Sequence, residues 1–192
     1  MRKLHIGCGD HPIDGWENTD IAPCGAGIRY LDATEPFGIA AASIDRIYSE
    51  HMIEHVPLAG GITMLGECYR VLQPGGRIRI STPGLEFLID LVRRPNLASD
   101  AYVKWACAAF SPGLPVRVET VINNFVRAWG HQFIWSRDML ASEMHRIGFR
   151  QFCWPRIAES AVPEFVGLEN AARMPEGFLQ LETMTVEAEK PA

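Results

Sequence analysis

The chain has 192 residues, 47% of them hydrophobic, with 18 lysines and arginines against 23 acids and a formal net charge of -5. That length supports a single domain, residues 1–192, with a buried core. The acidic balance offers no footprint for nucleic acid or anionic lipid, and no apolar run approaches the ~20 residues of a membrane helix.

Lys3–Ile6 reads as a short strand and Gly7–Gly15 as a turn-rich connection. Trp16–Ile21, Ile28–Leu31 and Ser43–Tyr48 read as three further strands, the first of them broken after Ala22 by Pro23 and Gly25. From about Ala59 to Leu72, Ile62, Leu65, Tyr69 and Leu72 repeat at helical spacing, and Pro74-Gly75-Gly76 stops that helix. Arg77–Thr82 alternates Ile78 and Ile80 with polar neighbours, which predicts a strand. A helix follows from Pro83 to about Arg94. Residues 96–130, rich in aromatics and broken by Ser111-Pro112-Gly113-Leu114-Pro115, read as a partly helical insertion. Ser136 is the N-cap of the next helix, with Asp138 in its first turn, Leu140, Met144 and Ile147 as its buried stripe, and Gly148 as its stop. Phe149–Arg156 and Phe178–Glu187 are expected as the last two strands. Strands alternating with helices imply a Rossmann-like α/β fold, a doubly wound and largely parallel sheet of seven strands.

In such a sheet a ligand lies beyond the carboxyl ends of the strands. Gly7 and Gly9 stand at the end of the first strand, where a missing Cβ lets a ligand approach the backbone. Asp20 ends the second strand, where a carboxylate can accept both ribose hydroxyls; Asp32 ends the third, where it can meet an adenine amino group. A dinucleotide fingerprint wants a third glycine where Pro12 stands, and no Gly-Lys-Ser/Thr loop exists, so nicotinamide and ATP readings are disfavoured. The five cysteines, Cys8, Cys24, Cys68, Cys107 and Cys153, are scattered and odd in number, without a Cys-x-x-Cys pair, and read as reduced thiols. Glycines and Asp10 follow Arg2 and Lys3 before a signal-peptide core forms, so a cytoplasmic protein is expected.

These residues together resemble the class I S-adenosylmethionine-dependent methyltransferases, in particular the small bacterial branch of the methyltransferase type 11 kind. Leu-His-Ile-Gly-Cys-Gly-Asp at 4–10, Gly-Trp-Glu-Asn-Thr-Asp at 15–20, Tyr-Leu-Asp at 30–32, Ser-Ile-Asp-Arg-Ile-Tyr-Ser-Glu-His at 43–51 and Tyr-Arg-Val-Leu-Gln-Pro-Gly-Gly at 69–76 carry the resemblance. Glu-His at 54–55, Ile-Gly-Phe at 147–149 and Val-Glu-Ala-Glu-Lys at 186–190 extend it across nearly the whole chain. It implies that the last strand runs antiparallel. It also implies S-adenosylmethionine across Gly7, Cys8, Gly9 and Asp10, with Asp20 and Ile21 at the ribose, Asp32 and Ala33 at adenine, and Ser49, Glu50 and His51 at the methionine end. One departure stands out: only Gly7–Gly15 separates the first two strands, too short for the usual crossover, so the first helix is expected to be shortened or missing.

His51-Met52-Ile53-Glu54-His55 fits a His-x-x-Glu-His zinc pattern, but that pattern needs one continuous helix. Val56 precedes Pro57 and avoids helical dihedrals, so no metal is expected. The same residues lie just past the fourth strand, beside the expected methyl group. Candidate bases, in order, are His51, His55, Glu54 and His131. Trp129-Gly130-His131-Gln132, with Trp105 and Phe110, is suited to roof an acceptor site. The expected activity is in-line methyl transfer to a small molecule or glycan. A non-catalytic cofactor-binding domain and a nicotinamide oxidoreductase are the alternatives, and oligomeric state stays open.

Overall fold

The computed structural model describes residues 1–192 throughout. The strands β1 (Lys3–Ile6), β2 (Glu17–Asp20), β3 (Arg29–Tyr30), β4 (Ile44–Glu50), β5 (Leu72–Pro83), β6 (Arg150–Cys153) and β7 (Thr183–Glu189) form one seven-stranded sheet in the order β3-β2-β1-β4-β5-β7-β6. Every neighbouring pair is parallel except the two made by β7, which runs antiparallel to β5 and to β6. The helices are α1 (Leu58–Val71), α2 (Leu85–Arg93), α3 (Leu97–Phe110), α4 (Val118–Arg127), α5 (Arg137–Ile147) and the single turn α6 (Phe178–Glu182).

The first helix is absent. The connections from β1 to β2, β2 to β3 and β3 to β4 contain no helix at all. The sheet is therefore covered differently on its two faces, and the alternation along its strands shows how. Leu4, Ile6, Ile47, Ile78, Ile80 and Val186 point into the main core, where Met64, Leu65 and Cys68 of α1 and Leu140 and Met144 of α5 meet them. The residues between them, His5, Tyr48, Arg79, Ser81 and Glu187, are buried too but polar, and they face the other way.

Residues 154–177, between β6 and β7, cover this polar face. Phe165 stacks on Trp16 at 6.3 Å between ring centroids, and Val162 joins them and Tyr48 in a small apolar cluster. Beneath it Arg79 is wholly buried. Its Nε donates to Glu169 Oε1 at 2.6 Å and its Nη1 to Glu187 Oε1 at 2.6 Å. Further bonds run to the carbonyls of Glu159 (2.9 Å) and Arg156 (3.2 Å), so every arm of the guanidinium is engaged.

Several boundaries differ from expectation. Phe178–Glu182 is helical rather than strand, because Phe178 and Leu181, three residues apart, both pack on the cluster of Phe87, Tyr102 and Phe125. Strand β5 begins directly at the end of α1, and residues 73–76 bulge out of the β4 register instead of forming a separate stop. β6 is shorter than 149–156, with Gln151 at a positive φ of 54° where its pairing with β7 is irregular. Ser136 caps α5, accepting from the Met139 amide, and Gly148 ends it at φ 131°.

Candidate active site

The tips of β1, β2 and β4 meet at one edge of the sheet. Gly9, at φ 55°, has open space where a Cβ would stand, and its amide donates to Asp20 Oδ2 at 2.8 Å. Asp20 Oδ1 accepts from the Ala22 amide at 2.8 Å. The carboxylate is thus held rigidly beside the Gly7–Gly9 bend. Ile21 is exposed next to it, and Asp10 is exposed at the turn. Asp32 accepts from the amide and hydroxyl of Thr34 through Oδ1 (2.8 and 2.7 Å), bonds that hold its pKa below the usual carboxylate range and leave Oδ2 without a hydrogen-bond partner. Ala33 is buried behind it.

Gly7 is different. A Cβ there would lie 2.2 Å from Met52 Cγ, so its missing side chain accommodates Met52 rather than an open cleft. Beside it, Gly7, Cys8, Tyr48 and Glu50 enclose a cavity of about 50 Å³ with Asn170 and Arg173, room for about one or two waters. The Glu50 carboxylate accepts from the Asn170 amide at 3.2 Å and pairs with Arg173 at 3.3 Å. Burial pushes the Glu50 pKa up, and the Arg173 charge opposes that shift. Tyr48 Oη and Ser49 Oγ are both buried without a hydrogen-bond partner; Ser49, on the opposite face of β4 from Glu50, does not line this cavity.

A second cavity, about 290 Å³, opens beyond the tips of β4 and β5. Tyr102, Trp105, Phe110, Phe125 and Trp129 form its wall, and His51, His55 and His131 stand at its floor with Glu182. The insertion at 96–130 supplies the aromatics, whose rings contact one another edge-on, as between Trp105 and Phe110 at 5.2 Å. Burial raises the Glu182 pKa to about 7, and the Tyr102 hydroxyl donates to this carboxylate. Arg173 borders this cavity as well as the smaller one, so a single side chain lies between them.

His51, Glu54, His55 and His131 come together here. Ile53–His55 forms only one 3-10 turn, so His51 and His55 share no helix. Two of the five non-glycine residues with positive φ, His51 (46°) and Trp129 (56°), line this one cavity, strain of the kind that concentrates at functional sites. His51 Nε2 is 2.8 Å from Thr183 Oγ1, and its Nδ1 is 3.5 Å from Glu54 Oε1. Burial depresses the pKa of His51, His55 and His131 and raises that of Glu54 to about 8. Residues absent from the sequence reading are Arg173, Asn170, Tyr102 and Glu182. No local pattern marks them, because each reaches the site from a segment distant in sequence.

A family model described as a methyltransferase domain matches residues 18–80, from β2 into β5. That stretch, about a third of the chain, is similar to a methyltransferase domain. The solved structures agree on the fold. A methyltransferase from Archaeoglobus fulgidus, dependent on S-adenosylmethionine, is 16% identical with a TM-score of 0.56, over 98% of this chain and 86% of the other. One of the same dependence from Thermotoga maritima gives 15% and 0.54, over 98% and 82%. A complex between the Haloferax volcanii Trm112 methyltransferase activator and a methyltransferase gives 13% and 0.58, over 100% and 82%. A search of curated proteins finds no match. No helix is long and apolar enough to cross a membrane.

Proposed function

We propose that this chain transfers a methyl group from S-adenosylmethionine to a small molecule or glycan held in the aromatic cavity. The observation that carries the reading is the meeting of two cavities at the tip of β4, one edged by Gly7, Cys8 and Glu50 and the other by His51, with Arg173 between them. The cofactor supplies an electrophilic methyl on a sulfonium; the chain's residues supply place and dryness.

The donor set fits an adenosyl amino acid. Asp20, fixed by the Gly9 and Ala22 amides, would take the ribose hydroxyls, with Ile21 alongside. Asp32 and Ala33 would border the adenine. Glu50 and Arg173 would take the ammonium and carboxylate of the methionine end, exchanging their mutual pair for a zwitterion of matching charge. Space is the constraint. The cavity of about 50 Å³ beside Glu50 cannot admit that end while Asn170 and Arg173 cover it, so residues 170–173 have to swing out for binding. His51, then His55, Glu54 and His131, are the groups positioned to accept the acceptor's proton. Orientation of acceptor and donor in a closed site can itself provide much of the rate.

The cover over Glu50 also favours a second reading, a domain that binds the cofactor without turnover. Calorimetry with S-adenosylhomocysteine tests what both share. The parent should bind with one site, and Asp20→Asn should bind roughly 10- to 100-fold more weakly, as expected for loss of charge-assisted bonds worth about 1.5–3 kcal/mol. Equal affinity in the two proteins refutes the assigned site. Release of S-adenosylhomocysteine with any acceptor then decides for catalysis.

A further inference from the structure

We propose that Glu54, His55 and His131 bind one divalent transition-metal ion, its free coordination position opening on the aromatic cavity. One carboxylate oxygen and two imidazole nitrogens from these residues all lie within 4.8 Å of one another.

The juxtaposition is built by the backbone. The amides of Gln132 and Phe133 donate to the Glu54 carbonyl at 2.7 and 3.2 Å, and Gln132 Nε2 donates to the His55 carbonyl at 2.7 Å. These bonds staple the end of the insertion to the 3-10 turn and set His131 beside Glu54 and His55. The turn alone offers two ligands; the third comes from a strand of chain that the sequence pattern does not connect to it.

Two further observations point to a cation. Glu54 is wholly buried, and while its Oε2 accepts from Thr82 Oγ1 at 2.9 Å, its Oε1 makes no hydrogen bond, the nearest imidazole nitrogen being His51 Nδ1 at 3.5 Å. His55 Nε2 stands 3.9 Å from that oxygen and makes no hydrogen bond to it. A buried carboxylate oxygen left without a donor is costly, and a bound cation removes that cost. His131 Nδ1 is 2.7 Å from the Phe125 carbonyl. A carbonyl only accepts, so Nδ1 carries the proton and Nε2 presents its lone pair. Donation from the far ring nitrogen to a backbone carbonyl is how proteins orient a metal-binding histidine.

Two imidazoles and one carboxylate suit zinc, cobalt or iron, not magnesium or calcium, which prefer oxygen ligands. In a tetrahedral zinc site with bonds of about 2.0–2.1 Å the ligand atoms lie roughly 3.3 Å apart, so the rings have to draw in by about an ångström. Three protein ligands and one free position form the open kind of site. Given the methyltransferase reading, on which this last step rests, that position takes a hydroxyl or phenol oxygen of the acceptor in the aromatic cavity, and of the four candidate bases only His51, outside the ligand set, is left to take its proton. Ion binding itself does not depend on it.

The test is titration of the full, untagged chain with Co²⁺, followed by visible d–d absorption and by competition with Zn²⁺ and Mg²⁺. One equivalent should bind, Zn²⁺ should displace it, and Mg²⁺ should not. His131→Ala and Glu54→Gln should each weaken cobalt binding at least tenfold, with circular dichroism confirming the fold. Should Glu54→Gln not fold, His131→Ala at its partly exposed position carries the comparison. No saturable absorption, effective competition by Mg²⁺, or equal affinity in the variants overturns the site. S-adenosylhomocysteine calorimetry on the same samples separates the two readings. Nucleoside binding without cobalt binding sinks the metal site alone, and cobalt binding without nucleoside binding sinks the methyltransferase reading alone.

Discussion

Arg79→Met tests whether the buried ion cluster, in place of helices, holds residues 154–177 on the sheet. Arg79 and Glu169 have no exposed side-chain surface and Glu187 almost none, so solvent cannot compensate for a missing partner. Removing the guanidinium leaves two buried carboxylates. Glu169 keeps Ser81 Oγ at 2.8 Å and the Ala158 amide at 2.9 Å, but no hydroxyl or amide serves Glu187 Oε1 once Arg79 is gone. Breaking a buried pair from one side costs about 3–5 kcal/mol. At a urea dependence of about 3 kcal/mol/M that is a fall of roughly 1–1.7 M in midpoint.

Urea unfolding at neutral pH measures the loss, and hydrogen exchange locates it. Amides of 156–170 should lose protection first, while those of α1 and α5 should not change. The decisive comparison is Arg79→Met with Glu169→Gln and Glu187→Gln together. Neutralising the orphaned acids should restore most of the stability, since replacing a buried ion cluster as a whole is often nearly neutral. A loss below about 1 kcal/mol in the single variant refutes the argument. So does a triple variant no more stable than the single one.

Two other predictions concern stability. Gly61→Ala adds helix propensity worth up to about 1 kcal/mol, but the new methyl would stand 2.8 Å from the ring of wholly buried Trp135. Overpacking costs about 1–3 kcal/mol, so Tm should fall by a few degrees; a rise contradicts the packing. His5, buried between Asn18 and Tyr48, has its pKa lowered by desolvation to about 4 from 6.5. The unfolded chain binds this proton below pH 6.5 and the native chain does not, so stability is full above 6.5 and falls as pH drops toward 4. At pH 4.5 the loss from this residue is about 2–3 kcal/mol, and His5→Gln should lose that much less than the parent between pH 7 and 4.5. Parallel acid limbs for the two proteins refute this.

Much of the frame was legible from local chemistry. The Gly7–Gly9 bend, the position of Asp20 at a strand end, the Ser136 cap and the missing first helix each depend on residues close in sequence. What escaped is long-range. The partners of Arg79 lie 90 and 108 residues away. A signal was nonetheless present: Arg77, Arg79 and Ser81 alternate with Ile78 and Ile80, and Thr185, Glu187 and Glu189 with Met184, Val186 and Ala188. Strands buried between two helical layers read as near-continuous apolar runs, so this alternation marks a face without helices. His131 was expected at the acceptor site, but its meeting with Glu54 and His55 carries no such signal, because the bonds from Gln132 and Phe133 that place it are made by the backbone.

The missing helix and the cover over Glu50 have one physical origin. A ten-residue link from β1 to β2 cannot return over the sheet as a helix, so the polar face needs cover from elsewhere, and residues 154–177 supply it. That cover is anchored unevenly. Up to Glu169 it is tied to Arg79 and Ser81 deep in the sheet, whereas from Asn170 onward its ties to the β4 tip are the bonds to Glu50, with Arg173 itself 27% exposed. Partly solvated pairs are worth about 1 kcal/mol or less, against several for the buried cluster. Opening should therefore hinge at Asn170 and leave Glu169 in place. For the proposed cofactor, the Glu50–Arg173 pair is a weak latch whose two charges become available to the ligand as it opens.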